Sequence, residues 1–261
     1  MERTKEATRD YPSFSRTPWT LWETLFARRS HRKYLPDNMS ADLEGALREA
    51  FADPAARVVV LTAEGRSFCA GVDVAEHTAE KVHEMLEAFH TLCRTLVDAD
   101  VPTVAAVGGA ALGGGCELVA LCDVVVASES ATFGQPEVRV GVFPPVAAAA
   151  FLTLMGKQAV VPVLTGEVLT ARQARELGLV TDVVPAEELE QAVRRRVEQL
   201  SAHSAAVLRL AKRAALGSFR HAFHQALEEA ERVYQELMRT EDAHEGLRAF
   251  LEKRKPTWQH R

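Results

Sequence analysis

The segment from Thr103 to Asp123 constrains the fold more than any other part of the chain. It begins with an apolar, strand-like run, Thr103 to Val107, and the pair Gly108-Gly109 follows. The triplet Gly113-Gly114-Gly115 then opens a stretch whose apolar residues return at helical spacing. Glycines at a strand-to-helix junction let the backbone approach a ligand closely, and the helix behind them presents unpaired N–H groups. An anion, or a carbonyl oxygen that becomes one during a reaction, fits such a junction.

A carboxylate accompanies these donors. Glu117 lies three residues beyond Gly114, which places it one helical turn deeper on nearly the same side. Donors for an oxyanion with a carboxylate beside them favour chemistry at a carbonyl. A purely structural glycine turn is the alternative, and the triplet alone does not separate the two.

The composition predicts a soluble globular protein. The 261 residues, 47% hydrophobic and 26% charged, can bury the core of one large domain or of one domain with a helical appendage. The formal net charge of −5 and the lack of a basic stripe interleaved with aromatic residues predict no nucleic-acid partner. No apolar run reaches membrane-spanning length, and the start of the chain lacks the apolar core of a signal peptide. We therefore expect no membrane partner and a cytoplasmic location.

The four cysteines do not predict a metal site. Cys69, Cys93, Cys116 and Cys122 form no CxxC pair, and no histidine stands at metal-site spacing from them. Reduced, buried thiols of a cytoplasmic protein are the expected state.

Residues 1–35 are predicted to be an atypical N-terminal segment, largely helical. Thr17-Pro18 is typical of a helix start, with an N-cap hydroxyl followed by proline. An apolar stripe at helical spacing follows it: Trp19, Trp22, Leu25 and Phe26. The basic run from Arg28 to Lys33 has two interpretations, a solvated helix end or a contact to an anionic ligand phosphate.

Farther along, helices alternate with strands that are apolar throughout. A helix with Ser40 as its N-cap ends at Asp53-Pro54, and the run from Arg57 to Thr62 is predicted to be a strand covered on both faces. This order favours an α/β layered core. Residues 64–73 are predicted to be a loop, where α/β proteins usually bind a ligand. From Glu187 onward the pattern is helical, as expected of an interface or of a cap on the core.

Three short segments together resemble one known family. They are Cys69-Ala70-Gly71-Val72-Asp73, Leu112-Gly113-Gly114-Gly115-Cys116-Glu117 and Phe133-Gly134-Gln135-Pro136-Glu137. Their order and spacing closely resemble the enoyl-CoA hydratase/isomerase (crotonase) superfamily, over most of the chain from Met39 to Pro256. The resemblance implies an α/β fold with a crotonase-like repeated β-β-α spiral core at residues 36–200. It also implies a C-terminal helical trimerisation region at residues 201–261, and a homotrimer or a dimer of trimers.

The resemblance also implies how a substrate is held. The backbone N–H groups of Val72 and Gly114 would bind the thioester oxygen of an acyl-CoA, and preformed donors of this kind stabilise an enolate. Side-chain replacement at Val72 should therefore be tolerated, whereas a bulky residue at Gly114 should not. The other expected substrate-binding residues of the two loops are Ala70, Gly71, Asp73 and Gly113.

Two acids are implied as the catalytic groups. Hydratases of the family use two glutamates, and Glu117 and Glu137 occupy both positions. Adding water to a conjugated double bond needs a base for the water and an acid for the α-carbon, which two carboxyl groups in different protonation states can supply. The expected function is that of an enoyl-CoA hydratase-like lyase acting on an α,β-unsaturated acyl-CoA. No metal and no cofactor is expected, because coenzyme A is carried by the substrate.

Two other functions remain open at this point. One is double-bond isomerisation, which is less favoured than hydration because family isomerases generally retain only one of the two acids. The other is an acyl-CoA-binding subunit with little catalysis, whose altered N-terminus makes a partner surface.

The sequence departs from the family pattern after Gly141. The glycine-rich turn expected there is replaced by Val142-Phe143-Pro144-Pro145-Val146-Ala147. Phe143 and Pro144 are expected to form a stiff wall of the substrate pocket. Such a wall resembles the branch that hydrates alicyclic dienoyl-CoA thioesters, which suggests an alicyclic dienoyl-CoA substrate.

Overall fold

The computed structural model describes residues 23–25, 37–71 and 82–261, which form two sheets surrounded by helices. The first sheet is parallel, with the spatial order β1 (Glu23–Leu25), β2 (Val59–Thr62), β4 (Thr103–Val107), β6 (Val124–Ser128) and β9 (Asp182–Val184). The second has the order β3 (Ser67–Cys69), β5 (Ala110–Leu112), β7 (Thr132–Gly134) and β8 (Val168–Thr170), with β8 antiparallel to β7.

The helices follow the strands in a regular order. They are α1 (Asp37–Ala52), α2 (Val82–Asp98), α3 (Gly114–Ala120), α4 (Pro145–Met155), α5 (Val160–Thr165), α6 (Ala171–Glu176), α7 (Leu189–Ser201), α8 (Ala205–Leu237) and α9 (Glu241–Leu251). Short 3-10 helices span Pro136–Val140, Lys157–Ala159 and Ala186–Glu188. The succession β2-β3-α2 and then β4-β5-α3 adds one strand to each sheet per turn. The predicted spiral of β-β-α repeats is therefore confirmed.

The apolar sequences of β2 and β4 explain why the first sheet is buried in the interior. In β4 all five residues are buried, and in β2 the first three are, because helices cover both faces. Leu47 of α1 and Leu92 and Leu96 of α2 are fully buried in the same core. Each such side chain stabilises the fold by about 1.5–3 kcal/mol.

A polar group aligns the strands that lead to the glycine turn. The Asp123 carboxylate accepts hydrogen bonds from the Thr103 backbone N–H (2.7 Å) and hydroxyl (2.9 Å). Lys212 of α8 donates to the same oxygen at 2.6 Å. The start of β4, the start of β6 and α8 are thus joined at one point.

Several local expectations are corrected. Glu23–Leu25 form a strand, not a helix, because pairing with the edge of β2 outweighs the helical spacing of the apolar residues. The rest of residues 1–35 lies outside the described residues. The first helix begins at Asp37 rather than after Ser40, which is buried inside it.

The expected loop at residues 64–73 contains the strand β3, and β5 and β7 were likewise not expected. Strands of three residues are too short to show a period, and they form only through pairing with neighbouring strands. The continuous helical pattern from Glu187 is confirmed by α7, α8 and α9.

Two features of the described ranges bear on partners. In residues 37–71 and 82–261 the helices are all too short or too polar to cross a bilayer. Within the same ranges, no three His, Cys, Asp or Glu side chains cluster in a way that could hold a metal ion.

Candidate active site

The turn between β5 and α3 places backbone donors at one point of the second sheet. Gly113 has φ +53° and ψ −130°, which glycine adopts without strain, and its N–H donates to Gly134 O at 2.9 Å. Gly114 is the first residue of α3, and Glu117 N–H donates to Gly113 O at 3.0 Å. The N–H groups at this end of α3 have no acceptor within the helix. They are therefore available to an oxyanion.

Neighbouring elements pack closely against this turn. A Cβ atom added to Gly114 would lie 2.9 Å from Cζ of Phe89 in α2, and one added to Gly115 would lie 2.5 Å from Cys69 O. Gly71 closes the other side, because a Cβ there would lie 3.5 Å from the Gly114 nitrogen. Gly71 therefore lies beside the Gly114 donor.

Glu117 lies in α3 and points into the core. Its side chain is 3% exposed, and its Oε1 accepts a hydrogen bond from Ala147 N–H at 2.7 Å. Burial raises the pKa of Glu117 to about 7, and the N–H groups of Ala147 and Val146 in the first turn of α4 oppose this rise. The carboxyl group is thus able to exchange a proton near neutral pH.

Glu137 belongs to the 3-10 helix Pro136–Val140. A Cβ atom added to Gly113 would lie 2.5 Å from Glu137 Oε1, so this carboxyl group covers the glycine turn. Its Oε2 atom is shielded from solvent and makes no hydrogen bond to any described residue. Burial, and then the negative charge of Glu117, raise the pKa of Glu137 well above its usual range.

The two acids have different surroundings. Glu117 is stabilised as an anion by two N–H groups at the start of α4, whereas only its own backbone N–H favours the anion of Glu137. Because two nearby buried carboxylates repel each other, one of them keeps its proton. The surroundings favour Glu117 as the anion and Glu137 as the acid.

Comparison with known proteins agrees with this geometry. The family model for enoyl-CoA hydratase/isomerase matches residues 20–261. This chain belongs to the enoyl-CoA hydratase/isomerase family. Its relatives place it in the hydratase branch.

Two relatives and one solved structure illustrate the similarity. The chain is 38% identical to cyclohexa-1,5-dienecarbonyl-CoA hydratase of Thauera aromatica, over 85% of this chain and 87% of the relative. It is 36% identical to 2,3-dehydroadipyl-CoA hydratase of Escherichia coli K12, over 90% of this chain and 93% of the relative. The crystal structure of an enoyl-CoA hydratase from Mycobacterium avium subsp. paratuberculosis K-10 superposes with a TM-score of 0.79. That pair is 29% identical, and the match covers 87% of this chain and 89% of the other.

Most of the site residues expected of this enoyl-CoA hydratase family member come together. Gly113 and Gly114 form the turn, and Glu137 covers Gly113. Glu117 lies in α3 with Gly114, close enough to Glu137 for its charge to raise the pKa of that acid. The buried Gly71 lies against the turn, and the half-buried Ala70 precedes it. Val72 and Asp73 lie outside the described residues, so their roles stay predictions.

Phe143 and Pro144 lie next to this group. The half-buried Phe143 ring packs edge-on against Tyr234 of α8, with 5.3 Å between the ring centres, and the buried Pro144 directly precedes α4. Their expected role as a pocket wall stays a prediction.

Three residues that shape the candidate active site were not predicted from the sequence. Ala147 supplies the N–H that holds Glu117, Phe89 packs on Gly114, and Tyr234 is close enough for both glutamates to raise its pKa, after the larger effect of burial. In the sequence, Phe89 and Tyr234 look like ordinary core residues, so nothing marks them as part of a site. The N–H of Ala147 has no signature in the sequence at all.

Proposed function

We propose that this protein adds water across the double bond of an α,β-unsaturated acyl-CoA thioester. The observation that carries the proposal is the pair of buried carboxyl groups, Glu117 and Glu137, at the turn that presents the Gly114 N–H. Membership in the hydratase branch of the family supports it.

Each group has a role that follows from its surroundings. The ionised Glu117 takes a proton from water, whose oxygen bonds to the β-carbon of the substrate. The electrons of the double bond move toward the thioester oxygen, and backbone donors such as Gly114 N–H stabilise the enolate. Glu137 then delivers its proton to the α-carbon. The two acids end with exchanged protonation states, and a proton transfer through solvent restores them.

Replacement of each acid tests the assignment. We expect Glu117→Gln and Glu137→Gln each to lower turnover of crotonyl-CoA by about 10²–10⁴-fold, the usual effect of losing an acid–base group. Glu129→Gln, at an exposed carboxylate that pairs with Arg172, is the matched control and should leave turnover unchanged. Full activity of either active-site variant would refute the assigned role.

Double-bond isomerisation is the alternative within the family. Both acids are present, and Glu117 is close enough for its charge to raise the pKa of Glu137, whereas family isomerases generally retain only one of the two; this favours hydration. Reaction in isotopically labelled water separates the two, because hydration places the label in a 3-hydroxyacyl product. An isomerised product without label would refute hydration.

The alternative of an acyl-CoA-binding subunit predicts binding without turnover. In that case Glu117→Gln would leave the behaviour of the protein unchanged. Isothermal titration with a saturated acyl-CoA, together with the turnover assay, distinguishes a catalyst from a binding subunit.

The shape of the acyl group is a further part of the proposal. An alicyclic dienoyl-CoA is supported by the rigid segment that contains Phe143 and Pro144 and by the cyclohexadienecarbonyl-CoA hydratase among the relatives. Turnover of cyclohexadienoyl-CoA faster than crotonyl-CoA would support it, and the reverse order would refute it.

We also propose that copies of this chain assemble into a homotrimer or a dimer of trimers. Support comes from apolar side chains left exposed on α4, α5 and β8: Leu152 (56%), Val161 (49%), Leu164 (71%) and Val168 (44%). Light scattering should give three or six times the mass of the chain. A cytoplasmic location is proposed from the four free, buried thiols.

A further inference from the structure

Glu245 of α9 is a buried carboxylate that lies outside the candidate active site and takes no part in the proposed reaction. Its two oxygen atoms accept hydrogen bonds from the Arg254 guanidinium, at 2.5 and 2.9 Å. Arg248 donates to it at 2.7 Å, and the Thr257 backbone N–H donates at 3.0 Å. These donors, Arg254 above all, hold the pKa of Glu245 well below its usual range. Glu245 is therefore an anion near neutral pH, and it joins α9 to the segment that follows this helix.

The same segment is bonded to the start of α9. The Asp242 carboxylate accepts hydrogen bonds from the backbone N–H groups of Gln259 (2.6 Å) and His260 (2.8 Å). The backbone oxygen of Arg261 accepts one from the Glu241 N–H at 3.0 Å, at the end of the helix where N–H groups lack a partner within the helix. Residues 254–261 thus hold α9 both at its start and at its middle.

Helix α9 packs directly on the 3-10 helix that carries Glu137. A Cβ atom added to Gly246 would clash with the backbone oxygen of Val140, the last residue of that 3-10 helix. The next residue, Gly141, has φ +80°, and a Cβ atom there would lie 2.7 Å from Asp242 O. The two backbones therefore touch at glycines, which have no Cβ atom to prevent this approach.

This contact reaches Glu137 through the backbone. The Glu137 backbone oxygen accepts a hydrogen bond from the Val142 N–H at 3.2 Å, and Val142 packs in one buried cluster with Leu247 of α9. The Oε2 atom of Glu137 makes no hydrogen bond to any described residue. The placement of this carboxyl group therefore depends on the backbone that carries it.

We propose that Glu245 is a positioning residue for Glu137. By anchoring α9 to residues 254–261, it keeps α9 on the 3-10 helix and the Glu137 carboxyl group over Gly113. The inference rests on the proposed hydratase function, which gives Glu137 its task. Glu245 acts through the two packed backbones and not on the substrate.

Replacement of Glu245 tests its effect on turnover. In Glu245→Gln, kcat for crotonyl-CoA should fall by about tenfold, a part of the effect of losing an acid–base group, while KM stays within about twofold. Asp182→Asn is the matched control, because it also breaks a two-bond pair, with Arg196 at 2.6 and 2.7 Å, but on β9 of the first sheet. It should cost stability and leave kcat unchanged. Arg254→Gln removes the Glu245 pair from its more exposed side and should act like Glu245→Gln.

The pH dependence of kcat separates positioning from general stability. Burial raises the pKa of Glu137, so a loosened 3-10 helix, which lets water reach the carboxyl group, would lower that pKa. In Glu245→Gln the fall of kcat at high pH, where Glu137 loses its proton, should begin at a pH lower by about 0.5–1 than in the wild-type protein. Asp182→Asn should not move it.

Hydrogen exchange tests the anchoring without any reaction. The amides of Gly141 and Val142 donate to Val138 O and Glu137 O, and in Glu245→Gln they should exchange at least about tenfold faster, but not in Asp182→Asn. Unchanged exchange or unchanged kcat in Glu245→Gln, an unmoved pH profile, or an equal loss of kcat in Asp182→Asn would overturn the inference. A wild-type protein that does not hydrate crotonyl-CoA would instead refute the proposed function, and the exchange measurement would still test the anchoring.

Discussion

Gly114→Ala should impair the oxyanion donor while leaving the fold intact. A Cβ atom at this position would lie 2.9 Å from Cζ and 3.2 Å from Cε2 of Phe89. The Phe89 ring is 3% exposed and packed in the main core, so it has little room to withdraw. Either the ring or the first turn of α3 must shift by a few tenths of an ångström, and that shift moves the Gly114 N–H.

The expected magnitude follows from the role of that donor. Loss of one oxyanion-hole donor costs about 2.7–4 kcal/mol, or about 10²–10³-fold in kcat. A displaced donor is weakened rather than lost, so we expect kcat for crotonyl-CoA to fall by about 10–100-fold. Overpacking should cost about 1–3 kcal/mol of stability, which the better helix propensity of alanine offsets by up to about 1 kcal/mol.

Two further variants make the assay specific. Gly217→Ala in α8 is the matched control, because a Cβ there meets nothing within 4 Å, and it should keep full activity. Phe89→Leu removes the ring atoms that cause the clash. In the double variant Gly114→Ala/Phe89→Leu, kcat should recover toward that of Phe89→Leu alone, which a double-mutant cycle measures.

Two results would refute this reasoning. Unchanged steady-state hydration by Gly114→Ala would show that the close contact does not control the donor. A loss that is the same with or without the Phe89 ring would show that the clash is not its cause.

Stability and activity should both depend on the ionisation of Glu117, and activity should also depend on the packing that positions Glu137. The pKa of Glu117 is about 7 in the folded protein and near 4.5 in the unfolded chain, so the folded state binds more protons between these values, and stability falls as pH rises through this window. Glu117→Gln should therefore raise the free energy of unfolding by up to about 3 kcal/mol at about pH 8 and by much less at about pH 5. Denaturant titrations at the two pH values measure this, and an equal gain in stability at both would contradict the raised pKa of Glu117. In the wild-type protein kcat/KM for crotonyl-CoA should rise as pH passes through about 7 and Glu117 ionises, and a flat profile across neutrality would contradict its role as the base. Gly246→Ala in α9 should lower the free energy of unfolding by about 1–3 kcal/mol and also lower turnover. The reason is that its Cβ would clash with the backbone oxygen of Val140, the last residue of the 3-10 helix that carries Glu137. Thermal melting and hydration of crotonyl-CoA check this, and an unaffected kcat would show that this packing does not position Glu137.

Much of the site could be predicted from residues close together in the sequence. The glycine triplet and Glu117 belong to one local unit, in which the strand-to-helix turn and the helical period place donor and carboxylate on one side. The position of Glu137 in the same site followed from the family resemblance, and in the structure its carboxyl group covers Gly113. The continuous apolar runs of β2 and β4 likewise predicted covered strands, because a strand that is buried on both faces has apolar side chains at successive positions.

The short strands and the N-terminal strand were beyond that reasoning. β3, β5 and β7 span three residues each, and Glu23–Leu25 was expected to be helical. Their backbone hydrogen bonds go to partners distant in sequence, so no local period reports them.

By itself, the sequence determined which chemical groups are available, namely two acids and a glycine turn at the start of a helix. Only the tertiary structure decided the protonation states of the two acids. The N–H of Ala147, thirty residues away, favours the anion of Glu117, while burial without a comparable donor keeps the proton on Glu137. The physical reason is that desolvation and hydrogen bonding depend on what surrounds a carboxyl group in space, and those surroundings are assembled from α2, α4 and α8 only when the chain is folded.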